Sequence, residues 1–210
     1  MEKFLALGAA SIAFAITAPA SAAFLPSGVQ THVLKTTVTN DWGWTQCYQG
    51  AYSASVQLST LFASCSGDYL MLAASPSDSD LNFSVLAGAA TVDVTMPVFN
   101  NNTTNSNGVE WYYGGDAASW GFAHDGAAVN RGNCDVNGLS EETRLCWHVG
   151  STEVFGGWRA GSSFGLNFDS VFQRYVFTAD NLNAPSEVPA PAGLALLGLG
   201  LFALGRRRAA

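Results

Sequence analysis

The central part of the chain predicts an all-β fold, an antiparallel β-sandwich of jelly-roll type. Segments rich in β-branched and aromatic residues recur along it, separated by clusters of Asn, Ser, Asp, Gly and Pro. Residues 23–184 contain no segment with sustained helical periodicity. Short strands at this spacing favour a sandwich, and a single closed barrel is the alternative. We expect a signal helix before this domain and a short apolar helix after it.

Ten segments of the domain have the composition of strands, beginning with an alternating run that is rich in Thr and Val. Eight to ten short strands are enough for two packed sheets in a domain of about 160 residues. The predicted strands are 31–39, 51–59, 69–73, 81–86, 91–97, 109–113, 119–122, 144–149, 154–159 and 171–178.

The N-terminus, residues 1–22, has the three parts of a secretory signal peptide. Lys3 supplies a positive charge, and residues 4–18 form an apolar run that is too short to span a bilayer comfortably. The small residues at 20–22 then fit the pocket of signal peptidase, which we expect to cleave after Ala22. A buried N-terminal helix is the alternative.

The C-terminus, residues 185–210, forms a linker and a tail of three parts in fixed order. Two prolines hold a motif in an extended form that a protease can reach. An apolar segment at 192–205 follows; as a helix it is about 21 Å long, shorter than the ~30 Å hydrocarbon core. An arginine cluster then stays on the cytoplasmic side. The motif is Val188, Pro189, Ala190 and Pro191, and the cluster is Arg206, Arg207 and Arg208.

This tail resembles the PEP-CTERM sorting signal, which has a Val-Pro-Glu-Pro motif, a short apolar helix and a basic end. Ala190 stands where Glu is usual, and related tails with Val-Pro-Ala-Pro exist. The resemblance implies that an exosortase-type membrane protease cuts near the motif and transfers the protein to the cell surface or extracellular matrix. An ordinary single-pass membrane anchor is the alternative.

All four cysteines lie in the domain between the two signals. Export would place them where disulfides persist. Four cysteines allow three pairings, of which we favour the two local ones, because each joins the ends of a short segment. A zinc site is the alternative, but the sequence has neither a C-x-x-C motif nor histidines at finger spacing. The predicted pairs are Cys47 with Cys65 and Cys134 with Cys146.

The most distinctive segment carries RLCWH at 144–148, GGWR at 156–159 and GLN at 165–167. It resembles a stretch that recurs in PEP-CTERM proteins, and this resemblance identifies kin without implying an activity. Strand alternation predicts that Trp147 points into the core and that His148 points to the opposite face.

The aromatic and guanidinium side chains of Trp158 and Arg159 stand between glycines and predict an exposed tip. Such a pair suits stacking on a sugar ring and hydrogen bonding to its hydroxyls. The alternative is that Trp158 closes the edge of the sandwich.

Two oxygen-rich turns are weak candidates for a structural calcium site. One combines Asp135 and Asn137 with the acidic pair at 141–142, and the other is the Asp-Ser-Asp run at 78–80. Neither matches the EF-hand loop.

Charge argues against a nucleic-acid partner. Without Glu2, Lys3 and the arginine cluster, nine basic residues fall to five and sixteen acidic residues to fifteen, a net charge of −10. The chain also lacks the H-E-x-x-H and P-loop motifs of familiar enzymes. We therefore expect no enzyme, but a cell-surface or matrix protein that binds exopolysaccharide through exposed aromatic residues. A glycan-active hydrolase or lyase and an adhesin are the alternatives.

Overall fold

The computed structural model of the chain describes residues 23–114 and 118–182, which form two antiparallel sheets packed face to face. The all-β prediction and the sandwich architecture are therefore confirmed. The strands are β1 (Gln30–Leu34), β2 (Thr45–Ala51), β3 (Val56–Gln57), β4 (Tyr69–Ser75), β5 (Asn82–Ala90), β6 (Thr104–Ser106), β7 (Val109–Gly114), β8 (Ser119–His124), β9 (Leu145–Val149), β10 (Glu153–Ala160), β11 (Ser163–Phe164) and β12 (Gln173–Ala179).

The two sheets differ in topology. The five-stranded sheet has the order β1-β5-β4-β12-β2, so that distant segments of the chain become neighbours. The seven-stranded sheet runs β11-β10-β9-β8-β7-β6, a series of hairpins between strands consecutive in sequence, with β3 added beside β10. The more specific jelly-roll arrangement stays a prediction.

The core between the sheets combines aliphatic side chains with large aromatic rings. Leu72, Val85 and Val176 of the five-stranded sheet contribute to the same buried cluster as Trp120 and Trp147 of the seven-stranded sheet. The two indole rings meet edge to face, with centroids 5.5 Å apart. This arrangement is favourable for aromatic pairs and adds to the stabilisation from apolar burial.

A second apolar cluster covers the outer face of the five-stranded sheet. Phe83, Tyr175 and Phe177 point outward from β5 and β12 and are buried beneath Val38 and Trp44 of the N-terminal segment. Because both faces of this sheet are covered, β4 and β5 are apolar along nearly their whole length and do not alternate.

Three predicted strands are wrong in part because short helical turns replace them. The predicted strand at 31–39 ends at Leu34, and a π-helical turn follows at Thr37–Asp41. The predicted strand at 51–59 is strand only in part, and its last two residues begin helix α1 (Leu58–Ser64). The segment 91–97 begins with helix α2 (Thr91–Val94). Each is too short to show a helical repeat in sequence, and tertiary packing stabilises such turns. The strands β2, β6 and β11 were not predicted.

The predicted signal peptide and sorting tail lie outside the described residues. None of the helices within 23–114 and 118–182 is long and apolar enough to cross a membrane.

Candidate functional site

The four cysteines form the two predicted disulfides, Cys47–Cys65 and Cys134–Cys146, with Cα atoms 5.3 and 5.6 Å apart. The first ties the end of α1 to β2, and the second ties the loop before β9 to β9 itself. The pairing prediction is confirmed, and the alternative zinc site is excluded because no cysteine is left free.

The predicted exposed tip is wrong for Arg159. Its side chain is buried, and its guanidinium donates to five backbone carbonyl oxygens rather than facing solvent. Arginine suits such a site because its planar group carries five donors in a fixed arrangement. No donor is left over for a sugar hydroxyl. The acceptors belong to Asp135, Asn137, Gly138, Glu141 and Gly161.

Trp158 lies half-buried on the outer face of the seven-stranded sheet. Its ring is 6.0 Å from that of Phe164, at an interplanar angle of 32°, and it packs beside the Cys134–Cys146 disulfide. Phe164 remains exposed. A glycan contact of Trp158 therefore stays a prediction that no longer includes Arg159.

The two calcium candidates, Asp135 and Asn137, take part in the hydrogen bonds of the same loop. Asp135 is fully buried; its Oδ1 accepts from two backbone N–H groups and its Oδ2 from Arg144 at 2.7 Å. The amide of Asn137 donates to the carbonyl of Ala128. Within the described residues, no group of three or more His, Cys, Asp or Glu side chains could hold a metal ion.

A cleft of about 410 Å³ lies where β9 and β10 meet the turns that flank them. Strand alternation determines one wall: Trp147 is buried between the sheets, as predicted, and His148 points to the outer face and into the cleft. The cleft is lined by Ser53, Ala118, His148, Phe155, Gly156, Asn167 and Phe168.

Two phenyl rings dominate the lining. Phe155 is 53% exposed, and Phe168 is 93% exposed at the end of a 3₁₀ turn (Leu166–Phe168). Gly165 begins this turn with φ +74°, a left-handed conformation that glycine adopts without strain. Gly150 allows the ring of Phe155 to lie against the backbone, because a Cβ there would come within 2.7 Å of it. The sequence therefore presents both rings to solvent by local backbone geometry.

The polar groups of the cleft are uncharged at neutral pH. Burial lowers the pKa of His148, and the neighbouring Asn167 side chain, which favours the protonated ring, offsets this only in part. Oδ1 of Asn167 is buried and lacks a hydrogen-bond partner of normal geometry among the described residues. The polar group beside it is the His148 ring, so His148 and Asn167 form the polar part of the cleft together.

The loop 52–55 forms the opposite wall and is firmly held. The N–H groups of Tyr52 and Ser53 donate to the carbonyls of Phe172 and Asp169 at 2.8 and 2.9 Å. Behind the loop, the buried guanidinium of Arg174 donates to the carbonyl of Ala54. A cleft with walls held in this way is preorganised for binding.

Sequence reasoning missed most of this site. Phe155, Asn167 and Phe168 were not candidates, and His148 was expected only on the face opposite Trp147. The available signal was the GLN segment at 165–167, which contains a glycine and a polar residue and is followed directly by Phe168.

Comparison with protein-family models, with curated proteins and with solved structures finds no match.

Proposed function

We propose that this chain is an exported protein of the cell surface or extracellular matrix, and that its sandwich domain binds exopolysaccharide. In this proposal, signal peptidase removes residues 1–22, and an exosortase-type membrane protease processes the PEP-CTERM-like tail near Pro189 and Pro191. The short apolar segment holds the chain in the inner membrane only until that step.

The two disulfides support export. Structural disulfides form and persist in oxidising compartments and are rare in the cytosol. Both pairs lie in the domain between the two signals. The acidic character of this domain, with a net charge of −10 between the signals, suits a protein that must stay soluble outside the cell.

The observation that carries the binding proposal is the cleft with two exposed phenyl rings beside His148 and Asn167. Aromatic faces pack against the C–H groups of a sugar ring, and imidazole and amide groups exchange hydrogen bonds with its hydroxyls. Exposed rings on a held backbone contribute binding area at little entropic cost.

A hydrolase is the second candidate function, and the same experiment tests it. Glycoside hydrolysis by the usual mechanism needs two carboxyl groups that flank the bond to be cleaved. The described lining of the cleft contains one titratable side chain, His148, and no carboxylate. We therefore favour binding without cleavage.

The test is replacement of Phe168 by Ala in the full chain, followed by binding to a panel of soluble polysaccharides in affinity electrophoresis. We expect at least a tenfold loss of affinity, because an aromatic contact of this kind contributes about 1–2 kcal/mol or more. The matched control is Phe99→Ala, since Phe99 is 54% exposed and does not line the cleft. Equal binding by wild type and F168A would contradict the proposal, and release of reducing ends would favour the hydrolase.

The cellular route is tested by the ends of the protein recovered from the cell surface. We expect the mature chain to begin at Ala23 and to lack everything beyond Pro191. A surface form that still ends at Ala210 would make the tail a permanent anchor and contradict the sorting proposal.

A further inference from the structure

We propose that the cleft takes uncharged sugar units and that the charge distribution of the domain excludes polyanions, such as polymers of uronic acids or sulfated sugars. This inference rests on the proposed function and names the ligand class of the same site. It follows from where the fold places its few cationic side chains.

All four arginines of the described residues are buried inside the domain. Arg131 donates to the carbonyls of Val98 and Gly114, and Arg144 pairs with Asp135 and Glu141. Arg159 holds the loop carbonyls described above. Recognition of a carboxylate or sulfate group usually relies on an accessible arginine or lysine, and the arginines are not accessible here.

Arg174 lies behind the loop that forms one wall of the cleft; its Nε and Nη1 donors lack hydrogen-bond partners among the described residues, but its side chain is buried. Its guanidinium lies 5.8 Å from the ring centroid of Trp147 and 5.7 Å from that of Tyr48, behind the loop that contains Ala54. An anionic ligand could reach its donors only by displacing this loop. The loop is held by backbone hydrogen bonds from Tyr52 and Ser53, so displacement is costly.

Lys35 serves the other sheet. Its ammonium group donates to the carbonyl of Asp78 at 3.0 Å and to the hydroxyl of Tyr175 at 3.0 Å, and it lies over the ring of Phe83. These partners pack on the outer face of the five-stranded sheet, whereas His148 lies on the outer face of the seven-stranded sheet. Lys35 is therefore not placed to neutralise an anion in the cleft.

Two acidic residues instead neighbour the aromatic lining residues along the chain. Glu153 stands on β10 two residues before Phe155, and Asp169 follows Phe168 directly. The lowered pKa of His148 leaves its ring neutral at pH 7. An anionic sugar would lose hydration without gaining a charged donor, and it would also meet like charge. A neutral sugar avoids both the loss of ionic hydration and the repulsion by like charge, and its hydroxyls find uncharged hydrogen-bond partners in His148 and Asn167.

The test uses polymers that share a backbone and differ in charge. We would measure the binding of the full chain to hydroxyethylcellulose against carboxymethylcellulose, and to dextran against dextran sulfate. Neutral galactomannan, α-mannan and β-glucan complete the panel. We expect a neutral member to bind, with dependence on Phe168, and its anionic counterpart to bind at least about tenfold more weakly at low salt. The ratio of the affinity for the neutral polymer to that for the anionic polymer should shrink in about 1 M NaCl, where the Debye length falls to about 3 Å.

A charge variant tests the cause. Glu153→Gln should reduce the ratio by about threefold, the effect of one unit charge at several ångströms in water. The control is Asp41→Asn, because Asp41 is exposed at the end of the π-helical turn outside the cleft. Phe168-dependent binding that favours the polyanions at low salt would overturn this inference and leave the proposed function standing. Absence of binding to every polymer would overturn both.

Discussion

Replacing Arg159 by Met should destabilise the domain more than replacing the partly buried Lys35, because the Arg159 side chain organises a whole loop. Its guanidinium donates to backbone oxygens of Asp135, Asn137, Gly138 and Glu141, and also to that of Gly161. A methionine of similar length fills the space but donates to none of them.

The magnitude follows from which acceptors water can reach after the substitution. The bonds to Asp135 and Gly161 are buried, whereas the other three are only partly buried and their carbonyls can rehydrate. Two buried acceptors without donors cost about 1–3 kcal/mol each. Removal of a buried charge offsets part of this cost. We expect a net loss of about 3 kcal/mol in the free energy of unfolding, which lowers Tm by about 10 °C for a domain of this size.

The assay is thermal unfolding followed by tryptophan fluorescence, with the disulfides intact. Lys35→Met is the control, because Lys35 is only partly buried and the carbonyls it serves can rehydrate, so we expect a loss of about 1 kcal/mol. Arg159→Lys keeps the charge and at most three donors, and should fall between wild type and R159M. A Tm for R159M within about 2 °C of wild type, or no lower than that of K35M, would refute the reasoning.

Three further outcomes are expected. Replacing Cys134 by Ser opens a short loop and should cost about 3 kcal/mol in urea unfolding; a cost below about 1 kcal/mol would argue against a constraint on the unfolded chain. Burial lowers the pKa of His148 in the folded state from its ordinary value of about 6.5. Between about pH 7 and 5 the unfolded chain therefore binds more protons than the folded chain, so the urea midpoint should fall as the pH drops through this range. His148→Gln should flatten this dependence, and an unchanged slope would assign it to other groups. Gly157→Ala should cost about 1–3 kcal/mol, since its Cβ would lie 1.9 Å from the buried ring of Tyr52. Gly132→Ala, whose nearest neighbour would be 3.6 Å away, should be tolerated, and equal losses would contradict the packing argument.

Local sequence patterns predicted the features that depend on neighbouring residues. Alternation along β9 placed Trp147 inside and His148 outside, because successive side chains of a strand point to opposite faces. The disulfides were predictable because each cysteine had its nearest cysteine in sequence as partner. Strands such as 109–113 and 154–159 were predictable from composition alone. The two terminal signals, which rest on short linear motifs, stay predictions.

Only the tertiary structure decided which polar residues are buried and which apolar residues are exposed. Arg159 has the sequence context of a surface tip, yet carbonyls from a loop more than twenty positions earlier enclose it. The cleft joins Ser53 to Phe155 and Phe168, residues brought together because the turn after β2 packs against β10 and the 3₁₀ turn. A buried guanidinium is stable only where distant acceptors converge, and a cleft exists only where separate turns meet. Both depend on contacts between residues far apart in the chain, so a local pattern cannot reveal them.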